Sequence, residues 1–142
     1  MYGTTTLNTS SQTILVVDDE PDVLRLVESM LSAQGYNVIV AKGSDTAIRT
    51  FERMTRKPDL ILTDVVMPGM SGPMLVEHLL QVDPAIHVLF MSGYDDRQVV
   101  QKYVVEKGFT LISKPFTFQT LGACVKNILD PALETGAVET AN

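Results

Sequence analysis

The sequence predicts an α/β protein, a five-stranded parallel sheet of order 2-1-3-4-5 with helices on both faces, on three observations. Five short apolar runs, ILVV (14–17), NVIVA (37–41), LILT (60–63), HVLFM (87–91) and FTLIS (109–113), have strand length and are rich in β-branched or large apolar residues. None alternates cleanly between apolar and polar, as expected of strands covered on both faces. Each is separated from the next by one segment of helical character, the spacing of repeated strand–helix units.

The helices are read in order. Val23, Leu26, Val27, Met30 and Leu31 form a stripe after Pro21, which suits a first helical turn, and Gly35 closes the segment. Ser44 is placed to cap a second helix carrying Ala47, Ile48 and Phe51. Met74, Leu75, Leu79 and Val82 follow Gly72-Pro73 and stop before Pro84. Val99, Val100, Tyr103 and Val104 precede Gly108, and a last helix runs from about Thr117 to Asp130. Right-handed crossovers between parallel strands place such helices on both faces of the sheet. Five units then give a flavodoxin-like (βα)5 three-layer sandwich. In that strand order the switch point lies between the first and third strands, so a ligand is expected beyond their C-terminal ends.

The chain has 142 residues, the size of one domain, and 45% of them are apolar, enough for a sizeable core. Residues 12–131 are expected to form the domain, with polar tails over 1–11 and 132–142 that read as flexible linker remnants. The net charge is −6 with Lys and Arg scattered singly, which argues against a nucleic-acid footprint. No apolar run approaches the roughly 20 residues of a membrane span, and the N-terminus lacks the build of a signal peptide. The single cysteine, Cys124, excludes an intrachain disulfide and fits a reducing cytoplasm. It lies among Leu121, Val125 and Ile128 and reads as core.

The chemistry gathers where the strand order puts the switch point. Asp18, Asp19 and Glu20 follow the first strand, Asp64 the third, Ser92 ends the fourth, and Lys114-Pro115 follows the fifth. An Asp after a strand is ordinarily a turn residue or a helix cap. Four strands delivering carboxylates, a hydroxyl and an ammonium to one sheet edge reverse that reading. Carboxylates so close are tolerable if a cation sits among them or if one keeps its proton. Hard oxygen ligands suit Mg²⁺. Zinc is disfavoured, because His78 (expected on a helix surface) and His87 (a strand start) lack ligand spacing. Glu20 is read as the opening of the first helix, near its positive dipole end.

In this order and spacing, ILVVDDE, LTDVVMPGMSG, FMSGY and ISKPF closely resemble the response-regulator receiver family over about residues 13 to 130. LTDVVMPGMSG with VLFMSGY is most similar to receivers fused to hybrid sensor histidine kinases. The resemblance implies a two-component phosphorelay switch rather than an enzyme. Asp64 would accept a phosphoryl group from a phosphohistidine on a histidine kinase or phosphotransfer protein. Asp19 would ligate Mg²⁺, Asp18 would hold metal-bound water, and the Met67 carbonyl would complete the set. Ser92 would hydrogen-bond one phosphoryl oxygen and Lys114 neutralise another, and the Lys114-Pro115 bond is expected cis. Pro68, Gly69 and Gly72 would shape the loop after the acceptor. One departure stands out: the family usually has an aromatic residue three positions before the lysine, where this chain has Leu111, with Phe109 two residues away. That puts the family's usual output switch in doubt.

Three rival readings fit less well. An aspartyl-phosphate phosphohydrolase wants an acid two residues beyond its nucleophile, where Val66 stands. A flavin module would meet three acids where phosphate should bind. A constitutive interaction module does not need the intact acceptor set. The fourth helix, with Val99, Val100, Tyr103, Val104 and Val105, has more apolar residues than one buried stripe requires, so an exposed face binding a partner or a second copy is expected there.

Overall fold

The computed structural model describes residues 12–93, 96 and 100–130, apart from the side chain of Gln101. The predicted tails, Tyr94 and Val99 lie outside the described residues. The elements are β1 (Thr13–Asp18), α1 (Pro21–Ala33), β2 (Asn37–Lys42), α2 (Ser44–Arg53), β3 (Leu60–Asp64), α3 (Gly72–Val82), β4 (His87–Ser92), α4 (Val100–Val105), β5 (Thr110–Ser113) and α5 (Phe118–Leu129). The sheet runs β2-β1-β3-β4-β5 and every pairing is parallel, as the pattern predicts.

The three central strands are apolar on both faces because both faces are covered. Alternate residues divide between two cores. Leu15, Val17, Ile61 and Phe90 pack with Phe51 of α2 and Leu75 and Leu79 of α3. Ile14, Val16, Leu62 and Met91 pack with Val27 and Leu31 of α1 and Leu121 and Val125 of α5. Truncating any of these buried Leu side chains to Ala costs about 2–5 kcal/mol. β2 is an edge strand and is only partly covered: Asn37, Val40 and Lys42 are exposed.

Local signals start and stop the helices. Pro21 opens α1, Asp22 sits in its first turn, and Gly35 at φ 99° lets the chain leave it. The Ser71 hydroxyl accepts from Met74 N at 3.3 Å at the start of α3, and the Thr117 hydroxyl accepts from Thr120 N at 3.0 Å at the start of α5.

The structure corrects several helix details. Gly43, not Ser44, occupies the cap position of α2, and the Ser44 hydroxyl goes elsewhere. In α1 the buried residues are Leu24, Val27 and Leu31, while Leu26 is exposed. In α3, Val76 is buried with Leu75 and Leu79, whereas Met74 and Val82 face outward. Both helices hold more apolar residues than one face can bury, so residue type alone does not choose the buried phase. α4 is wound in wide π-type turns rather than α turns. Val104 is fully buried, but Tyr103 and Val105 are exposed, as expected of a face with surplus apolar residues. Cys124 is half-buried against the second core, and burial pushes its thiol pKa up, which suits an inert side chain. His78 is exposed on α3 and His87 exposed at the start of β4.

Candidate functional site

Backbone pairing alone brings the acidic residues together. β1 and β3 are neighbours in parallel register, Val17 opposite Thr63, so both strands end at the same edge with Asp18 and Asp64. β4 lies on the far side of β3, with Met91 opposite Asp64, and Ser92 follows as its last residue. β5 continues the sheet with Ser113 opposite Ser92, and Lys114 N donates to Ser92 O at 2.8 Å, carrying the ladder one step further. The Lys114–Pro115 bond is cis.

Asp18 is fully buried, and Asp64 and Ser92 are nearly so, while Asp19 is half-buried. One carboxylate oxygen from each of Asp18, Asp19 and Asp64 lies within 4.8 Å of the others, so the three form a group able to hold a metal ion. The donors are all oxygen, and the mutual repulsion is what a divalent cation would relieve, so the residues fit a hard cation. Glu20 is not in that group: it holds the cap position of α1 without a side-chain capping bond, and its N–H donates to Asp18 Oδ1 at 2.9 Å. The Met67 side chain is buried in the first core.

Lys114 supplies the positive charge. Its Nζ donates to Asp18 Oδ2 at 3.0 Å and to Asp64 Oδ2 at 3.2 Å. Burial pushes the Asp64 carboxyl up to about 6, the charge of Asp18 adds to this, and Lys114 offsets part of it. Burial on its own would lower the Lys114 ammonium. The hydrogen bond to Asp18 and the charges of Asp64 and Asp18 outweigh it and hold Lys114 above its ordinary value.

All the predicted acids and the lysine meet here, and Ser92 stands at the adjoining strand end. One contributor escaped the sequence reading, and two were read there for other roles. The carboxylate of Asp96 accepts from Gly93 N at 2.7 Å and adds negative charge near Asp64; the acid pair after Gly93-Tyr94 was its only sequence signal. Gly72 packs so closely on Asp64 that a Cβ there would overlap the Asp64 carbonyl. The Ser44 hydroxyl donates to Met70 O at 2.8 Å, joining α2 to the loop after β3.

The chain matches the family model for the response regulator receiver domain over residues 14–126. It is 32% identical over 120 residues to the sensor kinase CckA of Brucella abortus, covering 84% of this chain but only 13% of that kinase. A response regulator receiver domain protein from Clostridium thermocellum superposes with a TM-score of 0.77 at 27% identity, covering 87% of this chain and 98% of that one. The response regulator TrrA of Thermotoga maritima, solved with Mg²⁺ and BeF, gives a TM-score of 0.71 at 26% identity, covering 83% and 99%. With five parallel strands in receiver order, an acid cluster at the switch point and a family match over most of its length, the chain belongs to the response regulator receiver domain family, the phosphoryl-accepting switches of two-component signalling.

Proposed function

We propose that Asp64 is the phosphoacceptor of a two-component phosphorelay, taking its phosphoryl group from a phosphohistidine on a histidine kinase or histidine phosphotransfer protein. A carboxylate oxygen of Asp64 attacks phosphorus, the P–N bond breaks, the electron pair leaves with the imidazole, and an acyl phosphate forms. The observation that carries this reading is the bridge from Lys114 to both Asp18 and Asp64 at a buried strand edge. It holds a cation beside the acceptor before any phosphate arrives, and phosphoryl transfer depends chiefly on positioning and charge neutralisation.

Asp18, Asp19 and Asp64, with the carbonyl of Met67, would hold Mg²⁺, which supplies further neutralisation of the transferring group. Ser92 binds one phosphoryl oxygen, and Lys114 exchanges its carboxylate partners for another. The domain spans residues 12–131 and works in the cytoplasm, where a chain with a single thiol is at home. It phosphorylates itself from small phosphodonors and loses the group by hydrolysis, with no other catalytic activity. The exposed Tyr103 and Val105 of α4 serve as a contact face for a second copy or a partner.

Acetyl phosphate with Mg²⁺, read by intact mass, tests the core of this. A phosphate adduct is expected on the wild type only with Mg²⁺, and on neither Asp64→Asn nor Asp64→Ala. An adduct that survives both substitutions refutes Asp64 as the acceptor.

A further inference from the structure

The geometry points to Ser44 as a positioning residue for the acceptor site, acting through the loop between β3 and α3; this rests on the cation reading above. Three observations support it. First, the sequence places Ser44 where a capping serine belongs, but Gly43 at φ 96° takes the cap position. The hydroxyl is thereby released from local bonding. It donates instead to the carbonyl of Met70, 26 residues away, and Ser44 is only 4% exposed. A buried polar group with so distant a partner holds two parts of a fold in register.

Second, few other hydrogen bonds tie the loop to the rest of the fold. Val65 N extends the sheet ladder to Met91 O at 2.9 Å, and Gly72 N closes the loop base on Val65 O at 2.8 Å. Among the described residues, Ser44 makes the hydrogen bond that joins the span between those two anchors to another element. Third, the two sides differ in how firmly they are rooted. α2 is fixed by Ala47 and Phe51, both buried in the first core, whereas the loop sends Met67 into that core and packs Met70 against it but leaves Val66, Pro68 and Gly69 exposed. The bond therefore couples the Met70 end of the loop to a well-rooted helix.

That loop leaves β3 directly from Asp64 and carries the Met67 carbonyl assigned to the cation. Removing the Ser44 hydroxyl leaves the Met70 carbonyl without its donor and loosens the Met70 end of the loop, so the loss should fall on cation affinity and not only on stability. The same logic governs metal sites generally, where groups that orient the ligands strongly affect affinity.

The test is Mg²⁺ titration calorimetry on folded wild type, Ser44→Ala, Ser44→Cys and Ser44→Thr, beside urea unfolding of each in Mg²⁺-free buffer. Ser44→Ala is expected to weaken Mg²⁺ binding about tenfold, the lower end of the range seen for such orienting groups. Ser44→Cys, with its weak donor, should fall between Ala and wild type, and Ser44→Thr, which keeps the hydroxyl, should recover most of the affinity. Should the Ala variant fail to fold, the Cys and Thr variants carry the comparison. Equal Mg²⁺ affinity in all folded variants, whatever their stability, overturns the positioning role. Asp19→Asn run alongside separates the two readings: wild-type binding that survives it, or wild type that binds no Mg²⁺, refutes the cation site itself and the role of Ser44 with it.

Discussion

Lys114 Nζ lies 3.0 Å from Asp18 and 3.2 Å from Asp64, so one ammonium serves two buried carboxylates on neighbouring strands. Removing it leaves both acids without their counter-ion. Lys114→Met should destabilise the metal-free protein by roughly 1–3 kcal/mol at pH 7, the cost of unpairing buried polar groups. Mg²⁺ should restore part of that loss, since a divalent ion neutralises the same acids. Urea unfolding with and without Mg²⁺ reads both effects. A variant as stable as wild type in metal-free buffer would mean that the bridge contributes nothing to the fold.

The raised Asp64 carboxyl gives the metal-free protein a pH dependence of definite sign. Its pKa is about 6 in the fold against an ordinary 3.8, so the folded state binds more protons than the unfolded one between those values. The contribution of Asp64 to stability therefore falls as pH rises from about 4 to about 6, and the full penalty stands above that. The shift sets an upper bound on the order of 3 kcal/mol, which solvent screening at this partly exposed site reduces. Other acids also titrate in this range, so the measure is the difference in unfolding free energy between wild type and Asp64→Asn from pH 4 to 8. That difference should move against wild type as pH rises. A flat difference would show that Asp64 ionises in the fold as it does in water.

Asp19 adds a third carboxylate within 4.8 Å of the other two and, unlike them, is half-exposed. Asp19→Asn should stabilise the metal-free protein by roughly 1 kcal/mol, the size of one like-charge contact at about 4 Å when water screens it fully, as befits the half-exposed Asp19. It should also lose most of the rise in melting temperature that Mg²⁺ gives wild type, because a ligand stabilises only the state that binds it. Equal Mg²⁺-dependent rises in both proteins would place the ion elsewhere.

The edge bearing Asp18, Asp64, Ser92 and Lys114 was legible because continuous apolar runs mark buried parallel strands, and strand order alone fixes where their ends meet. Contacts made by approach between distant segments left no periodic trace. Ser44 looked like a cap because serine before a helix usually is one; only the fold shows Gly43 in that place and the hydroxyl on Met70. Leu26, Met74 and Val82, which the sequence groups with the buried residues of their helices, turn outward for a different reason. Those helices carry apolar residues in two phases, and which phase turns inward depends on how each helix docks on the sheet.

Gly72 was read from the sequence as a loop residue, but its close approach to the acceptor strand is what the site requires. Any side chain there would overlap the carbonyl of Asp64, which is backbone and cannot swing aside. Gly72→Ala should therefore cost about 1–3 kcal/mol, in the range of an overpacked core, and slow phosphorylation by displacing the acceptor or the loop. Gly69 offers a contrast: space around it is open, but its φ of 79° is strained for any side chain, so Gly69→Ala should cost about 1 kcal/mol and leave Asp64 in place. Phosphorylation rates for both variants, set beside their stabilities, separate the two effects. Unimpaired phosphorylation in Gly72→Ala would refute the contact.

How long the phosphoryl group stays depends on water reaching phosphorus in line with the bond to Asp64. Val66, two residues beyond the acceptor, is 48% exposed at the site's rim, and Tyr94 stands two residues beyond Ser92 in sequence. Val has no donor or acceptor with which to orient a water, and an aromatic ring at position 94 would narrow the approach. The phosphorylated protein should therefore hydrolyse slowly, and Val66→Asn with Tyr94→Glu should speed it about tenfold or more, short of the roughly hundredfold or greater gain of a fully positioned acid or base. Asp96 supplies a competing possibility within the structure: its carboxylate already lies close enough to Asp64 to affect its charge, and its Gly93 contact leaves one oxygen for a water. Decay of phosphorylated wild type, the single and double variants and Asp96→Ala decides between them. If the double variant decays no faster than wild type, the shielding by Val66 and Tyr94 is wrong, and a slower Asp96→Ala would give the water-orienting role to Asp96 instead.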